Sequence, residues 1–164
     1  MLSARAWLAL MCFSAVCHAG PQDFQIKAAY LINFTRYINW PTPPNHLLCI
    51  VGADDVADWM EKNQSKSGRA VKRLAQMREV ESCTLLYLGQ DSSQIAAWLA
   101  AVKDHAVLTV SEQGGFLQKG GMINLVMQNN ALRFSVNLEP AKEVQLKFSS
   151  RMLALAEKVE GGGQ

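Results

Sequence analysis

The residues from 83 to 110, CTLLYLGQDSSQIAAWLAAVKDHAVLTV, contain two apolar runs on either side of a segment with helical periodicity. Residues 83–89 and 106–110 are short and continuously apolar, which is the pattern of strands covered on both faces. Between them, Asp91 or Ser92 can cap a helix. Its apolar side carries Ile95, Trp98, Leu99 and Val102. Strand, helix and strand in this order favour a parallel sheet.

The same alternation is present upstream. Residues 46–52 form another continuous apolar run, after which Asp54 or Asp55 can cap a helix. The apolar residues of that helix are Val56, Trp59 and Met60. Residues 63–68 predict a polar loop and residues 69–76 predict a strand.

The first helix of the domain is predicted from periodicity. Residues 22–38 place apolar side chains on much of a helical surface, so this segment predicts a largely buried helix. Trp40 and Pro41 follow it, and proline restricts the residue before it to extended backbone. The helix is therefore expected to end before Trp40.

Downstream of residue 110 the pattern changes to a hairpin. Residues 122–128 and 132–138 predict two strands, and Asn129-Asn130 predicts a tight turn because asparagine tolerates positive φ. The following Glu139-Pro140 opens a short helix.

A last helix is predicted near the C-terminus, with Ser149 or Ser150 as its cap. Its apolar residues are Met152, Leu153, Leu155, Ala156 and Val159. Residues 161–164 predict a disordered tail. The predicted fold class is α/β, with one domain over residues 20–160 and a layered sheet of five to six mixed strands that has helices on both faces.

Residues 1–19, MLSARAWLALMCFSAVCHA, have the three parts of a secretion signal peptide. Arg5 precedes an apolar run, and the small residues Cys17 and Ala19 suit a cleavage site after Ala19. We therefore expect export to the periplasm. A lipoprotein is the weaker alternative, because Val16 rather than a small residue precedes Cys17.

Removal of the leader changes both the charge and the cysteine content. The formal charge falls from +2 to +1, and no block of Lys and Arg remains, so nucleic acid is not an expected partner. Cys49 and Cys83 are then the only cysteines in an oxidising compartment, and we expect a structural disulfide between them. Two buried free thiols are the alternative, since both residues lie in apolar runs.

Catalytic and metal-binding patterns are sparse. His46 and His105 remain after the leader, and neither has a Cys, His or carboxylate at metal-ligand spacing. The glycine pairs at 114–115 and 120–121 are not followed by the Lys-Ser or Lys-Thr of a phosphate-binding loop. The sequence predicts no metal, no cofactor and no enzyme activity, although a triad could still assemble from scattered residues. We expect a protein that acts by binding a partner.

Six segments in the same order resemble the YfiR family of small periplasmic proteins. The longest is KAAYLINFTRYINWP at residues 27–41, which resembles the opening K-A-x-x-L-x-x-F-x-x-x-x-x-W-P pattern of that family. The later segments are LCIVG at 48–52, CTLLYL at 83–88, GF with GGMIN at 115–124, RFSVNL at 133–138 and SSRML at 149–153.

This resemblance implies a repressor that binds the periplasmic sensor region of an inner-membrane diguanylate cyclase, which lowers cyclic di-GMP and biofilm formation. The family is also described with a second disulfide nearer the C-terminus. This chain has no cysteine after Cys83, so redox sensing through a second bridge is not implied here.

The resemblance also implies a binding surface. Arg133 and Ser135 share the strand face opposite to Phe134, and Arg133 together with Gln145 matches positions of a proposed ligand and partner surface in the family. We expect Met127 to contribute an apolar contact there, and Phe148 and Met152 are further candidates for an apolar rim, although core packing is the alternative for these three.

Two other function classes stay open. A small-ligand-binding module would need a pocket with convergent polar groups near Arg133. A structural accessory subunit of another membrane protein would show a broad apolar patch and obligate oligomers. The sequence does not decide between a monomer and a homodimer, and it does not identify the cyclase, a ligand or the signal that releases repression.

Overall fold

The computed structural model describes residues 23–162. Its helices in chain order are α1 (Asp23–Phe34), α2 (Asp54–Lys62), α3 (Gln64–Ser67), α4 (Ile95–Val102), α5 (Glu139–Glu143) and α6 (Ser150–Leu153). Two 3-10 helical turns cover Met77–Ser82 and Leu117–Lys119. The strands are β1 (Ile38–Asn39), β2 (Leu47–Val51), β3 (Ala70–Arg73), β4 (Leu85–Leu88), β5 (Leu108–Ser111), β6 (Ile123–Gln128), β7 (Ala131–Asn137), β8 (Lys147–Phe148) and β9 (Lys158–Glu160).

Seven of these strands form one mixed sheet in the order β3-β2-β4-β5-β6-β7-β9. The strands from β3 to β6 are parallel, β7 is antiparallel to β6, and β9 is parallel to β7. The short strands β1 and β8 pair separately. The predicted α/β class is confirmed, and the main sheet is larger than the five to six strands that were expected.

Helices cover both faces of the sheet, as predicted. Helices α1 and α2 cover the face that carries Leu48, Leu85, Leu108 and Leu125. Helix α4 and the two 3-10 turns cover the opposite face, which carries Cys49, Leu86 and Leu88. Because both faces of the central strands are buried, these strands are continuously apolar in sequence.

Helix α1 is shorter than predicted, since it ends at Phe34 rather than at residue 38. The backbone N–H groups of Arg36 and Tyr37 donate to carbonyls three residues back, which closes a tight turn. Ile38 then pairs with Phe148 in the two-stranded sheet. The apolar pattern of the helix continues in the sequence up to Ile38 because Ile38 is also buried, although as a strand residue.

The last helix is also shorter than predicted. Ser149 caps α6 as expected, since its hydroxyl accepts a hydrogen bond from the Met152 N–H at 3.3 Å. Helix α6 ends at Leu153, and Val159 lies in β9 opposite Val136. The prediction of one helix up to Val159 is therefore wrong, because β7 offers an unpaired edge that the chain covers with a strand.

Three smaller predictions also need correction. The expected loop at 63–68 contains α3, and the strand expected at 69–76 is confirmed as the shorter β3. Neither Asp91 nor Ser92 caps α4, because Gln94 precedes it with a left-handed backbone. Helix α2 follows Ala53 and has no side-chain cap, so Asp54 and Asp55 lie in its first turn.

The hairpin and the disulfide are confirmed. Asn129 and Asn130 have φ of +47° and +60°, as a two-residue turn with the twist of the strands requires. Cys49 and Cys83 form a disulfide with their Cα atoms 5.8 Å apart. The bridge joins the middle of β2 to the residue that leads into β4, and it is buried under α4.

Two features lie wholly or partly outside the described residues. The predicted leader, with cleavage after Ala19, lies outside them, as do residues 163 and 164 of the predicted tail. Gly161 is described, and its carbonyl accepts a hydrogen bond from Lys142 Nζ at 2.6 Å. Within residues 23–162, no helix is both long enough and apolar enough to cross a membrane.

Candidate functional site

Arg133 and Ser135 lie on the outer face of β7, the face turned away from α1. The Arg133 side chain is 56% exposed, whereas Phe134 beside it is 7% exposed. Across the hairpin, Arg133 is opposite Val126 and Ser135 is opposite Asn124. The predicted alternation along this strand is therefore confirmed.

Met127 and Gln145 are not beside these two residues. Met127 is opposite Leu132 in the hairpin, so it lies on the face that carries Phe134. Gln145 follows α5 with a left-handed backbone and lines a separate depression with Lys103 and Asp104. The four residues predicted for one binding surface occupy three places.

A groove of about 410 Å³ lies where α1, the free edge of β7 and α6 meet. It exists because β9 pairs with β7 only from Ser135 onward, which leaves the edge of β7 opposite to β6 without a neighbouring strand over the first half of β7. Ten residues line the groove: Tyr30, Asn33, Phe34, Tyr37, Leu132, Arg133, Phe134, Arg151, Met152 and Leu155.

The floor of the groove is aromatic. Phe34 and Phe134 meet edge to face with ring centroids 5.2 Å apart, and Tyr30 contacts both rings in the same way. The Tyr30 hydroxyl donates to the carbonyl of Leu132 at 2.9 Å, which satisfies a backbone acceptor on the free edge of β7. Met152 is 2% exposed, so it belongs to the core rather than to a rim.

The rim of the groove combines exposed apolar side chains with two arginines. Leu155 is 71% exposed and Tyr37 is 36% exposed, so both would gain free energy if the groove were covered. Among the residues that the structure describes, Arg133 and Arg151 are the charged ones that line the groove, and no carboxylate lines it. Arg133 Nε is 3.9 Å from Glu157. This ion pair is exposed to solvent, so it contributes little to the free energy of unfolding. The groove suits an apolar group with a negative charge beside it.

Sequence reasoning assigned none of Tyr37, Arg151 and Leu155 to a binding surface. Tyr37 and Leu155 were placed on the buried faces of helices that end before them. Arg151 carried no signal, because a single arginine in a short helix is common. Only the positions of α1 and α6 against β7, which are set by contacts across the whole chain, bring them together.

The crevice at the carboxyl ends of β2 and β4 is filled by the chain's own loops. The chain leaves β2 for β3 on one side and returns to β4 on the other, and sheets with this topology usually bind ligands at the carboxyl ends of two such strands. Here the Ser92 hydroxyl donates to the carbonyl of Val51 at 2.6 Å, and Gln113 Nε2 donates to the carbonyl of Gly89 at 3.0 Å. A Cβ at Gly52 would collide with the backbone of Ser92. The loops fill this crevice themselves.

One cluster of charged and phenolic groups lies next to that crevice. Lys27 Nζ is 2.6 Å from Glu112, and the Tyr87 hydroxyl donates to Glu112 at 2.8 Å. Burial, and then the negative charge of Glu112, raises the pKa of Tyr87 well above its usual range. The hydroxyl therefore stays protonated, and the cluster fastens α1 to the end of β5. Among residues 23–162, no group of three or more His, Cys, Asp or Glu side chains could hold a metal ion.

The chain is similar to one protein family and to a solved structure. A family model described as YfiR/HmsC-like matches residues 24–157, which include α1 from its second residue and every strand of the main sheet except β9. Among solved structures, a conserved domain protein from Vibrio cholerae O1 biovar El Tor is similar with a TM-score of 0.68 and 9% identity. The match covers 84% of this chain and 60% of the Vibrio chain, and at 9% identity it shows a likeness of fold alone.

Proposed function

We propose, because this chain belongs to the YfiR/HmsC-like family, that it represses an inner-membrane diguanylate cyclase from the periplasm. The family is regulatory rather than catalytic and is periplasmic. The match over residues 24–157 is the observation that carries the proposal. Binding to the periplasmic sensor region of the cyclase would lower cyclic di-GMP and biofilm formation.

The groove beside β7 is the proposed docking site for the cyclase. Its exposed apolar rim at Tyr37 and Leu155 would gain free energy from being covered. Arg133 and Arg151 would each contact a carboxylate of the sensor region, since charge-assisted hydrogen bonds add orientation as well as energy. The bound protein would favour the sensor arrangement that its catalytic domains cannot use.

The test compares two exposed apolar residues that are four positions apart in the chain. Leu155→Ser removes the most exposed large apolar side chain of the groove rim, whereas Val159→Ser changes a 40% exposed valine on β9 that does not line the groove. We expect Leu155→Ser to keep its melting temperature and to lose about tenfold in affinity for membranes that carry the cyclase. Val159→Ser should bind as the wild type does.

The same variants are then assayed in cells for cyclic di-GMP. Deletion of the gene should raise cyclic di-GMP, and Leu155→Ser should complement the deletion less well than Val159→Ser. Unchanged cyclic di-GMP after deletion, in cells that contain the cognate cyclase, would rule out repression. Equal complementation by both variants would leave repression standing and would remove the groove as its site.

A second candidate is a small-ligand-binding module. The groove volume of about 410 Å³ is within the range of small-molecule sites, and its aromatic floor with two arginines suits a planar anion. A ligand there would compete with the cyclase for the same surface. Release of the membrane-bound protein by periplasmic extract depleted of macromolecules would favour this second function.

A further inference from the structure

The groove beside β7 follows the edge of this strand rather than one face of the sheet. Leu132, Arg133 and Phe134 are consecutive residues of β7, and all three line the groove. Side chains alternate between the two faces along a strand, so Arg133 lies on the face opposite to its two neighbours. A groove that borders residues of both faces also borders the backbone between them. The open edge of β7 from residue 131 to residue 134 therefore faces the groove.

The hydrogen bonds of β7 show which backbone groups point to this open edge. The Asn137 N–H donates to the carbonyl of Met122, just before β6, at 2.8 Å. Because bonding directions alternate along an antiparallel pair, the odd-numbered residues of β7 bond to β6 and the even-numbered residues point away from it. Two even-numbered carbonyls agree with this: that of Leu132 accepts from the Tyr30 hydroxyl, and that of Phe134 accepts from a backbone N–H just before β9.

Two backbone donors on the open edge have no acceptor among residues 23–162. The N–H groups of Leu132 and Phe134 point away from β6, and β9 pairs with β7 only from Ser135 onward. Neither N–H donates to a loop or helix of the described chain. In a sheet, such unpaired edge groups are the groups that bond to a further strand. The groove thus offers two free donors in line with β9.

We propose that an extended segment of the cyclase sensor region docks in the groove as an added strand beside β7. This inference rests on the proposed function, because it specifies how the proposed partner fills the groove. Carbonyls of the segment accept from the N–H groups of Leu132 and Phe134. One N–H of the segment shares the Leu132 carbonyl with Tyr30, since a carbonyl has two lone pairs. A helix in the groove would satisfy its own backbone groups and leave both donors of β7 unpaired under it.

The alternation of side chains across the sheet specifies which sequence fits. A residue of the added strand that points to the outer face lies beside Arg133, and among the described residues no carboxylate lines the groove. This position therefore takes Asp or Glu. The residues before and after it point to the opposite face, where Phe34 and Phe134 form the aromatic floor, and take apolar side chains. The fitting segment alternates apolar and acidic residues.

The first experiment measures amide hydrogen exchange of the mature protein by NMR, with and without the purified sensor region of the cyclase. We expect exchange of the Leu132 and Phe134 amides to slow by at least about tenfold on binding, because both become hydrogen-bonded. Scalar couplings across the new hydrogen bonds should identify carbonyls of the sensor region as the acceptors. Val159 provides the matched control amide. The Leu138 N–H donates to the carbonyl of Glu160, so by alternation the Val159 N–H points to the outer edge of the sheet, outside the groove, and its exchange should not change.

The second experiment tests the sequence pattern without the cyclase. The probe is the capped peptide Val-Glu-Val-Glu-Val, and the reference peptide Val-Val-Val-Glu-Glu has the same composition and charge without the alternation. We expect the alternating peptide to bind about tenfold more tightly than the reference and to shift the Leu132 and Phe134 amide signals. Arg133→Gln should remove this preference. Lys158→Gln is its control, because it removes a positive charge opposite Ser135, on the same face but outside the groove.

The outcomes separate this inference from the proposed function. Sensor binding with slowed exchange at Leu132 and Phe134 supports strand addition. Sensor binding with unchanged exchange at both amides, or with slowing at Val159 instead, overturns strand addition and leaves repression standing. Binding of the alternating peptide without binding of the sensor region supports β7 as a strand acceptor and overturns the cyclase as its partner. Equal binding of the two peptides overturns the alternating pattern, and failure of both the sensor region and the peptides to bind overturns the inference together with the proposed docking site.

Discussion

Between β2 and β4 the protein closes its sheet with its own loops, whereas at the β7 edge it leaves a groove open between α1 and α6. At the centre, hydrogen bonds from Ser92 and Gln113 fill the crevice in which similar sheets bind ligands. At the edge, Leu155 and Tyr37 stay exposed above an aromatic floor. The difference indicates that the centre provides stability and that the edge is available for a partner.

A large loss of stability is expected when the disulfide at the centre of the sheet is removed. Reduction of the Cys49–Cys83 disulfide, or the double change Cys49→Ala and Cys83→Ala, should lower the free energy of unfolding by roughly 3 to 4 kcal/mol, because the bridge restricts the unfolded chain. The bridged residues are 34 positions apart. Urea denaturation of oxidised and reduced protein measures the loss.

Binding at the groove is the control for this prediction. Reduced protein that is still folded should bind cyclase-bearing membranes as oxidised protein does, because the bridge lies under α4. Mass spectrometry that finds both thiols free in protein from the periplasm would contradict the disulfide itself.

The second prediction is a decrease in the free energy of unfolding at high pH, and it is intermediate in size. Buried Tyr87 keeps its proton in the folded protein, since burial and then Glu112 raise its pKa, whereas in the unfolded chain it ionises near pH 10. Above that pH the unfolded chain binds fewer protons than the folded protein. The free energy of unfolding therefore decreases above pH 10, by about 1.4 kcal/mol per pH unit.

Urea midpoints between pH 9 and pH 11 measure this slope. Tyr87→Phe removes the titrating group and should give a shallower decline over the same range, although it also removes the hydrogen bond to Glu112. Identical slopes for the two proteins would show that Tyr87 does not titrate differently in the folded and unfolded states.

The sequence predicted the centre better than the edge, and the reason is physical. Strands such as β4 are buried on both faces, so their continuous apolar runs are visible without knowledge of their neighbours. The turn at Asn129-Asn130 was visible because its backbone needs residues that tolerate positive φ. The disulfide followed from a count of two cysteines in an oxidising compartment.

The groove could not be predicted in the same way. Tyr30 and Leu132, which are in contact, are 102 residues apart. Strand β9 has three residues, which alternation cannot distinguish from a helix end, and its pairing with β7 sets the length of the free edge. Of the predicted binding residues, Arg133 lines the groove because β7 was predicted correctly. The register set by the Asn129-Asn130 turn places Met127 on the opposite face of the hairpin, and Gln145 lies in a loop that the sequence did not define.

The smallest expected effect on stability belongs to Arg133, and it separates the edge from the centre most sharply. Its side chain is 56% exposed and its nearest carboxylate is 3.9 Å away, so Arg133→Ala should change the free energy of unfolding by no more than about 0.5 kcal/mol. Phe134→Ala, one residue along the same strand, should cost roughly 3 to 5 kcal/mol because it removes an aromatic side chain from the groove floor. If the guanidinium contacts a carboxylate of the cyclase, Arg133→Ala should weaken retention on cyclase-bearing membranes by roughly thirtyfold, which corresponds to about 2 kcal/mol. Thermal melts and membrane retention of both variants give the answer, and a folded Arg133→Ala with wild-type retention would remove this residue from the docking site.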